Sequence, residues 1–249
     1  MWTDLSRPIV IAHRGDKKHA PENTLSAFKL AAEKGADAIE FDVKLTSDGH
    51  VIVLHDRTVN RTTNGTGNMS ELPFSALRDL DAGAWFSEDF RGECIPTLDE
   101  VFETVGKRVY MNVELKDYGT LGDALVPKVI ELVTKHGLQN RVLFSSFFAR
   151  NLMKARSLLS EVPRGLLCMP GLAGFWGRTF TWRGDYFALH PHLADAGPGL
   201  VNRVHAAGKR VHVWTVNAEE DLKGMIGLGV DAILTDDPAL ALRLLGRSK

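Results

Sequence analysis

The stretch Gly35-Ala-Asp-Ala-Ile-Glu-Phe-Asp42 leaves a helical pattern through a glycine and enters an apolar strand that ends in a carboxylate. Near the other end of the chain, Gly229-Val-Asp-Ala-Ile-Leu-Thr-Asp236 repeats the design. Repeated βα units produce such echoes, and the intervening sequence has the matching rhythm. Short apolar runs stand at 9–13, 38–43, 51–55, 109–115, 142–146, 165–169, 186–189, 211–216 and 232–234. Amphipathic helical patterns fill most of the gaps, at 24–34, 98–105, 121–136, 150–159, 199–207, 219–228 and 239–244. Strand alternating with helix implies parallel strands joined by crossovers. The punctuation agrees: Thr97-Leu-Asp-Glu100 reads as a capping box. Gly35, Gly106, Gly137, Gly208 and Gly229 stand where a helix wants a left-handed stop.

About eight units in 249 residues suit a closed (β/α)8 TIM barrel, whose usual length is roughly 250 residues. An open doubly wound sheet is the alternative, but no Gly-x-Gly-x-x-Gly follows a strand. One interval is too long: 72 residues separate Asp42 from Glu114, against a spacing of roughly 20 to 35 elsewhere. The excess, about residues 57–95 with a Thr/Asn/Gly-rich start, reads as a small insertion after the second strand, inside a single domain of residues 1–249.

Thirty Lys and Arg against 31 Asp and Glu leave a net charge of −1, too balanced for a broad nucleic-acid surface, which needs excess cations. The two cysteines, Cys94 and Cys168, form no disulfide framework or metal motif and read as free thiols of a cytoplasmic protein. The apolar run near the start is too short for a signal peptide. The charge-free stretch 165–177 contains a proline and several glycines, so no transmembrane segment is expected.

Barrel enzymes place their chemistry at the C-terminal ends of the strands. Those ends carry His13-Arg14, Glu40 and Asp42, His55-Asp56, and Glu114 with Lys116. Glu40 and Asp42 are two apart in a strand and share a face, and Glu114 joins them from a neighbouring unit. Bare carboxylates facing a barrel interior are costly unless they are ion-paired or bound to metal. Ion pairing is the plain alternative; three together favour a hard divalent cation with oxygen ligands. His13 and His55 each end an apolar run, and histidine exchanges protons near neutrality. Three carboxylates, one divalent cation and a singly charged phosphodiester leave a charge of about −2, which Arg14 and Lys116 cancel. Metal-assisted phosphodiester hydrolysis is therefore a coherent reading.

The sequence also resembles the glycerophosphodiester phosphodiesterases of the phospholipase C-like superfamily. The matching pieces run in order over nearly the whole chain: His13-Arg-Gly15, Pro21-Glu-Asn-Thr24, Glu40-Phe-Asp-Val43, Thr46-Ser-Asp-Gly49, His55-Asp56 and Arg61-Thr-Thr63. They continue with Ile95-Pro-Thr-Leu98, Asn112-Val-Glu-Leu-Lys116, Val213-Trp-Thr-Val-Asn217 and Thr235-Asp-Asp-Pro238. The resemblance implies a barrel with this insertion and one Mg2+ or Ca2+ held by Glu40, Asp42 and Glu114. It further implies acid–base catalysis by His13 and His55, phosphate binding by Arg14 and Lys116, and Trp214 lining the glycerol pocket. Glu22 would brace Arg14, and Asn23 or Thr24 would cap a helix. The products would be sn-glycerol 3-phosphate and an alcohol. A lysophospholipase D-like hydrolase of longer lipids and a non-catalytic glycerophosphate-binding protein are the competing readings.

Three segments depart from the simple pattern. Asp16-Lys-Lys-His19 reads as a solvated charged loop or as a shaper of access to the site. Phe175, Trp176, Phe180 and Trp182 mark a packed connection, a hydrophobic lid, an oligomer contact or a lipid-chain site. His190-Pro-His192 imitates a metal-binding pair but lacks partners on other strands and reads as structural.

Overall fold

The computed structural model describes residues 1–116, 124–180 and 184–247. Eight parallel strands close into a barrel: β1 (Ile9–His13), β2 (Ala38–Leu45), β4 (Tyr110–Leu115), β5 (Val142–Ser146), β6 (Arg164–Cys168), β7 (Ala188–Pro191), β8 (Arg210–Val213) and β9 (Ala232–Thr235). Pairing of β1 with both β2 and β9 closes the ring. The crossovers carry helices α1 (Leu25–Glu33), α3 (Leu98–Val105), α4 (Leu125–Lys135), α5 (Ala149–Leu158), α6 (Phe175–Thr179), α7 (Pro198–Ala206) and α8 (Glu219–Leu228), and α9 (Pro238–Leu244) follows the last strand. The main core lies between strands and helices, where Phe28, Phe41, Leu98, Met111, Val129 and Phe144 are buried. Each strand sheds one face of apolar side chains into that layer and turns the other into the barrel.

The insertion after β2 is a small unit of its own. The run expected at 51–55 is shorter, β3 (Val51–Val53), and pairs antiparallel with β2 outside the barrel. His55 is therefore in a loop after a hairpin, not at the end of a barrel strand; the tight turn at Ser47 and Asp48 folds the chain straight back. With α2 (Phe74–Arg78), the segment packs Ile52, Leu54, Val59, Met69, Leu77 and Ile95 into a satellite core.

The capping box forms, with Thr97 accepting from the Glu100 amide and the Glu100 carboxylate accepting from the Thr97 amide. Four of the five expected helix stops are left-handed, but Gly106 has a φ of −57° because α3 runs on into a right-handed turn. Of the helix expected at 121–136, residues 121–123 lie outside the described residues and α4 covers Leu125–Lys135, with Ala124 and His136 as its caps. The Asp16 loop is solvated only in part: Lys18 and His19 are exposed, whereas Asp16 is fully buried and paired with His19 (2.8 Å) and Lys34 (2.7 Å). Cys94 and Cys168 are free thiols. No helix among the described residues is long and apolar enough to cross a membrane.

The echo seen in the sequence has a structural cause. The Asp37 carboxylate accepts from the Val10 amide (2.8 Å), and that of Asp231 accepts from the Val211 amide (2.9 Å). Each aspartate stitches the start of its strand to a neighbour at the bottom of the barrel.

Candidate active site

Strand register builds the site. Across β1, β2 and β4 the pairing puts His13 beside Glu40 and Glu40 beside Asn112. One step higher it puts Asp42 beside Glu114 and Glu114 beside Ser145 of β5. Alternation then turns both rows inward at the C-terminal mouth. One carboxylate oxygen from each of Glu40, Asp42 and Glu114 lies within 4.8 Å of the others, and all three residues are buried. The expected acidic nest is therefore assembled.

His13, Arg14, Glu40, His55, Glu114, Lys116 and Trp214 all line one cavity of about 260 Å3, with Asn112 and Ser145 among the remaining lining. A larger cavity of about 330 Å3 opens at the opposite end of the barrel, around Trp2 and Phe187, and among the described residues holds no such cluster.

The two expected phosphate ligands are engaged with carboxylates. Lys116 Nζ is 2.9 Å from Asp42 and 3.8 Å from Glu114. Arg14 sits 3.6 Å from Asp42 and 2.9 Å from Glu22, so Glu22 does brace it. Arg14 and Asn23 both have φ near +59°, in the left-handed region that ordinary residues rarely adopt. That turn directs the Arg14 amide onto Glu40 and the Asn23 amide group onto Asp42 (3.2 Å), leaving Thr24 alone as the cap of α1. Gly15 follows, where any Cβ would stand 2.7 Å from that of Ala27, so only glycine lets the turn seat against α1.

Charge and burial oppose each other in the nest. Burial, with repulsion from Asp42 and Glu114, holds the Glu40 carboxyl well above its ordinary range. Burial likewise lifts Glu114 to about 7, against the pull of Lys116. Burial pushes Asp42 the same way, but Lys116 and Arg14 overcome it and keep that group ionised. One Glu114 oxygen is buried with no hydrogen-bond partner among the described residues. An all-oxygen donor set with excess negative charge and an unspent lone pair fits a hard divalent cation.

Both histidines are oriented by carboxylates that the sequence reading did not select. His13 Nδ1 meets Asp236 at 2.8 Å, and His55 Nδ1 meets Asp56 at 2.6 Å. His13 Nε2 stands 3.9 Å from Glu40. Burial lowers both imidazoles, His13 to about 4 despite its bond to Asp236, so both rings are neutral at pH 7. Arg61 of the insertion grips Asp56 (2.7 Å) and Glu22 (2.8 Å), tying the His55 loop to the Arg14 turn. The signal for Asp236 was already in the echo, whose two copies both end in a carboxylate at a strand mouth.

Trp214 is placed by its Nε1 donating to the His190 carbonyl (2.8 Å) and by an edge contact with Phe147. His190 belongs to the barrel interior: its ring lies 4.6 Å from that of His212, in space left by Gly165. His192 caps the turn that follows β7.

Residues 13–240 match the Glycerophosphoryl diester phosphodiesterase family. The chain belongs to that family. It is 42% identical over 240 residues to a glycerophosphodiester phosphodiesterase of Caldanaerobacter subterraneus, covering 96% of this chain and 98% of the relative. A glycerophosphodiester phosphodiesterase of Bacillus altitudinis is 36% identical, with 94% and 97% covered. Among solved structures, a phosphodiesterase of Oleispira antarctica in complex with the product sn-glycerol-3-phosphate superposes with a TM-score of 0.88 at 33% identity, covering 96% of this chain and 97% of that one. The protein is a glycerophosphodiester phosphodiesterase by family, and the cavity just described is where its polar groups converge.

Proposed function

We propose that the enzyme hydrolyses small glycerophosphodiesters, such as glycerophosphocholine or glycerophosphoethanolamine, to sn-glycerol 3-phosphate and an alcohol. In this reading residues 1–249 act as one catalytic domain, with 57–95 as its insertion, in the reducing cytoplasm that two free thiols suit. Glu40, Asp42 and Glu114 hold one Mg2+ or Ca2+. The observation that carries the proposal is the cluster of these three buried carboxylates, two of which, Glu40 and Glu114, line one cavity together with both histidines.

When bound, the cation supplies Lewis-acid polarisation of a phosphoryl oxygen. Arg14 and Lys116 bind the phosphate, and Trp214 offers an apolar wall to the glycerol carbons. His55 acts as base: Asp56 fixes its Nδ1–H, which leaves Nε2 to accept the proton of the glycerol 2-hydroxyl or of a water as that oxygen attacks phosphorus. His13 acts as acid. Its deep burial makes it the poorer base and, once protonated beside the anionic substrate, the stronger donor to the departing alcohol.

Dialysis against a chelator is expected to abolish hydrolysis of glycerophosphocholine, and Mg2+ or Ca2+ to restore it. His13→Ala and His55→Ala should lose roughly 10²- to 10⁴-fold in kcat while retaining cation binding by calorimetry. Full activity in the chelator removes the metal from the mechanism; wild-type rates in either variant remove that histidine.

A further inference from the structure

Among the described polar side chains that line the catalytic cavity, Asn112 and Ser145 alone take no part in the reaction proposed above. Asn112 is 1% exposed, and neither its Oδ1 nor its Nδ2 has a hydrogen-bond partner among the described residues. Ser145 is equally buried, and its Oγ is likewise unpartnered. Buried polar groups are nearly always satisfied, because the hydrogen bonds they give up to leave water must be replaced. An amide with both atoms unspent, close to an unspent hydroxyl, calls for a polar partner that enters the cavity.

Register fixes where the two groups stand. Asn112 belongs to the lower inward row, beside Glu40 of β2 and paired on its other side with Leu143 of β5. Ser145 lies two residues above Leu143, beside Glu114. The two are diagonal neighbours on adjacent strands, with Asn112 the deeper, so together they form a polar floor. The rest of the wall is apolar: Phe147, Leu167, Met169, Trp214 and Leu234. Neither floor residue carries charge, and in the proposed reaction the phosphate is matched by Arg14, Lys116 and the cation. The partner that satisfies the floor must both donate and accept, since the amide Oδ1 only accepts, Nδ2 only donates and the serine Oγ does either. A hydroxyl does this; a methyl, ether or ester group does not.

We infer that Asn112 and Ser145 bind the terminal hydroxyl of the substrate's glycerol, on the carbon farthest from phosphorus, and so select glycerol phosphodiesters over analogues that lack it. The inference rests on the hydrolysis proposed above and names how that site chooses its substrate. The proposed chemistry engages the phosphate and the 2-hydroxyl or a water, which leaves the terminal hydroxyl as the group still to be recognised. Discrimination comes from the enzyme's own buried groups: without the hydroxyl, the amide and the serine stay unpaired between apolar walls.

Calorimetry of the Mg2+-loaded enzyme tests the floor without turnover. The ligands are sn-glycerol 3-phosphate and 2-hydroxypropyl phosphate of the same configuration, which lacks only the terminal hydroxyl. The wild type should bind sn-glycerol 3-phosphate at least about tenfold more tightly. Asn112→Leu, close to the native volume, should erase that preference by weakening sn-glycerol 3-phosphate about tenfold, and Ser145→Ala should reduce it roughly threefold. Both variants should keep their affinity for 2-hydroxypropyl phosphate and for Mg2+. Ser145→Ala, which removes one oxygen, decides the matter if Asn112→Leu disturbs the fold. Equal wild-type affinities would mean that water alone satisfies the floor, and overturn the inference. A preference that survives in both variants overturns it too, as does equal weakening of the two phosphates in both, which would assign the pair to support of the acidic nest.

Turnover supplies a second readout. In the wild type kcat/KM for glycerophosphocholine should exceed that for 2-hydroxypropyl phosphocholine at least about tenfold, and Asn112→Leu should bring the ratio close to one. A wild-type ratio close to one overturns the inference. If the wild type hydrolyses neither diester yet still prefers sn-glycerol 3-phosphate in calorimetry, the hydrolysis reading fails and the hydroxyl site stands.

Discussion

Asp56 and Asp236, from opposite ends of the sequence, perform the same task for the two histidines that line the cavity. Each binds Nδ1 of its histidine, which in the proposed reaction leaves Nε2 to exchange the proton. For His55, burial lowers proton affinity and the Asp56 hydrogen bond partly restores it. Removing that carboxylate should therefore lower it further. The acid limb of kcat/KM against pH, set by the base, is expected below 6.5 in the wild type and at still lower pH in Asp56→Asn. An upward displacement of the limb, or none, would detach His55 from the rate profile. The ligand-type residues themselves were legible, because a charged or imidazole side chain at the end of an apolar strand is conspicuous. Their orienting partners were legible only in part: Asp56 adjoins His55 and Asp236 ends the sequence echo, but no local pattern pairs Asp236 with His13 over 223 residues.

At the level of elements, local chemistry read well wherever hydrogen bonds are short-range. Thr97 and Glu100 satisfy each other's amides across one turn, so the box was visible and the helix begins where it should. Thr97→Ala is expected to cost about 1 kcal/mol in chemical denaturation, with activity preserved. A loss under a few tenths would show that α3 is held by packing alone. The hairpin that diverts β3 from the barrel was not legible, since residues 51–55 have the same apolar character as a barrel strand and only pairing distinguishes them. Gly106 misled for a related reason: glycine permits a left-handed stop without requiring one. The glycine at 165 serves packing instead, since a Cβ there would lie 2.2 Å from His190 Nε2.

Across the whole molecule the barrel count was legible from length and periodicity, and the joining of distant parts was not. The Glu22 carboxylate is the clearest such joint, gripped by Arg14 from the barrel and by Arg61 from the insertion. Burial would raise its pKa, but the two guanidiniums, Arg61 foremost, bring it down to about 2 from an ordinary 4.5. A lowered carboxylate stabilises the fold above its unfolded pKa and loses that effect as the pH falls. The contribution is roughly 3 kcal/mol at neutrality, fading between pH 4.5 and about 2. Urea midpoints of the wild type and Glu22→Gln should therefore differ widely at pH 7 and converge toward pH 2; a gap independent of pH would contradict the ion triplet.

The seam between β1 and β9 has a temporal meaning as well. During synthesis on the ribosome, Glu40, Asp42 and Glu114 emerge long before residues 232–236, which supply both the last strand and the carboxylate that orients His13. A nascent chain halted before 232 holds all three acidic residues of the nest but neither a closed ring nor an oriented His13. Such stalled chains are expected to be sensitive to protease and inactive, and release of the final strand should switch on protection and turnover together.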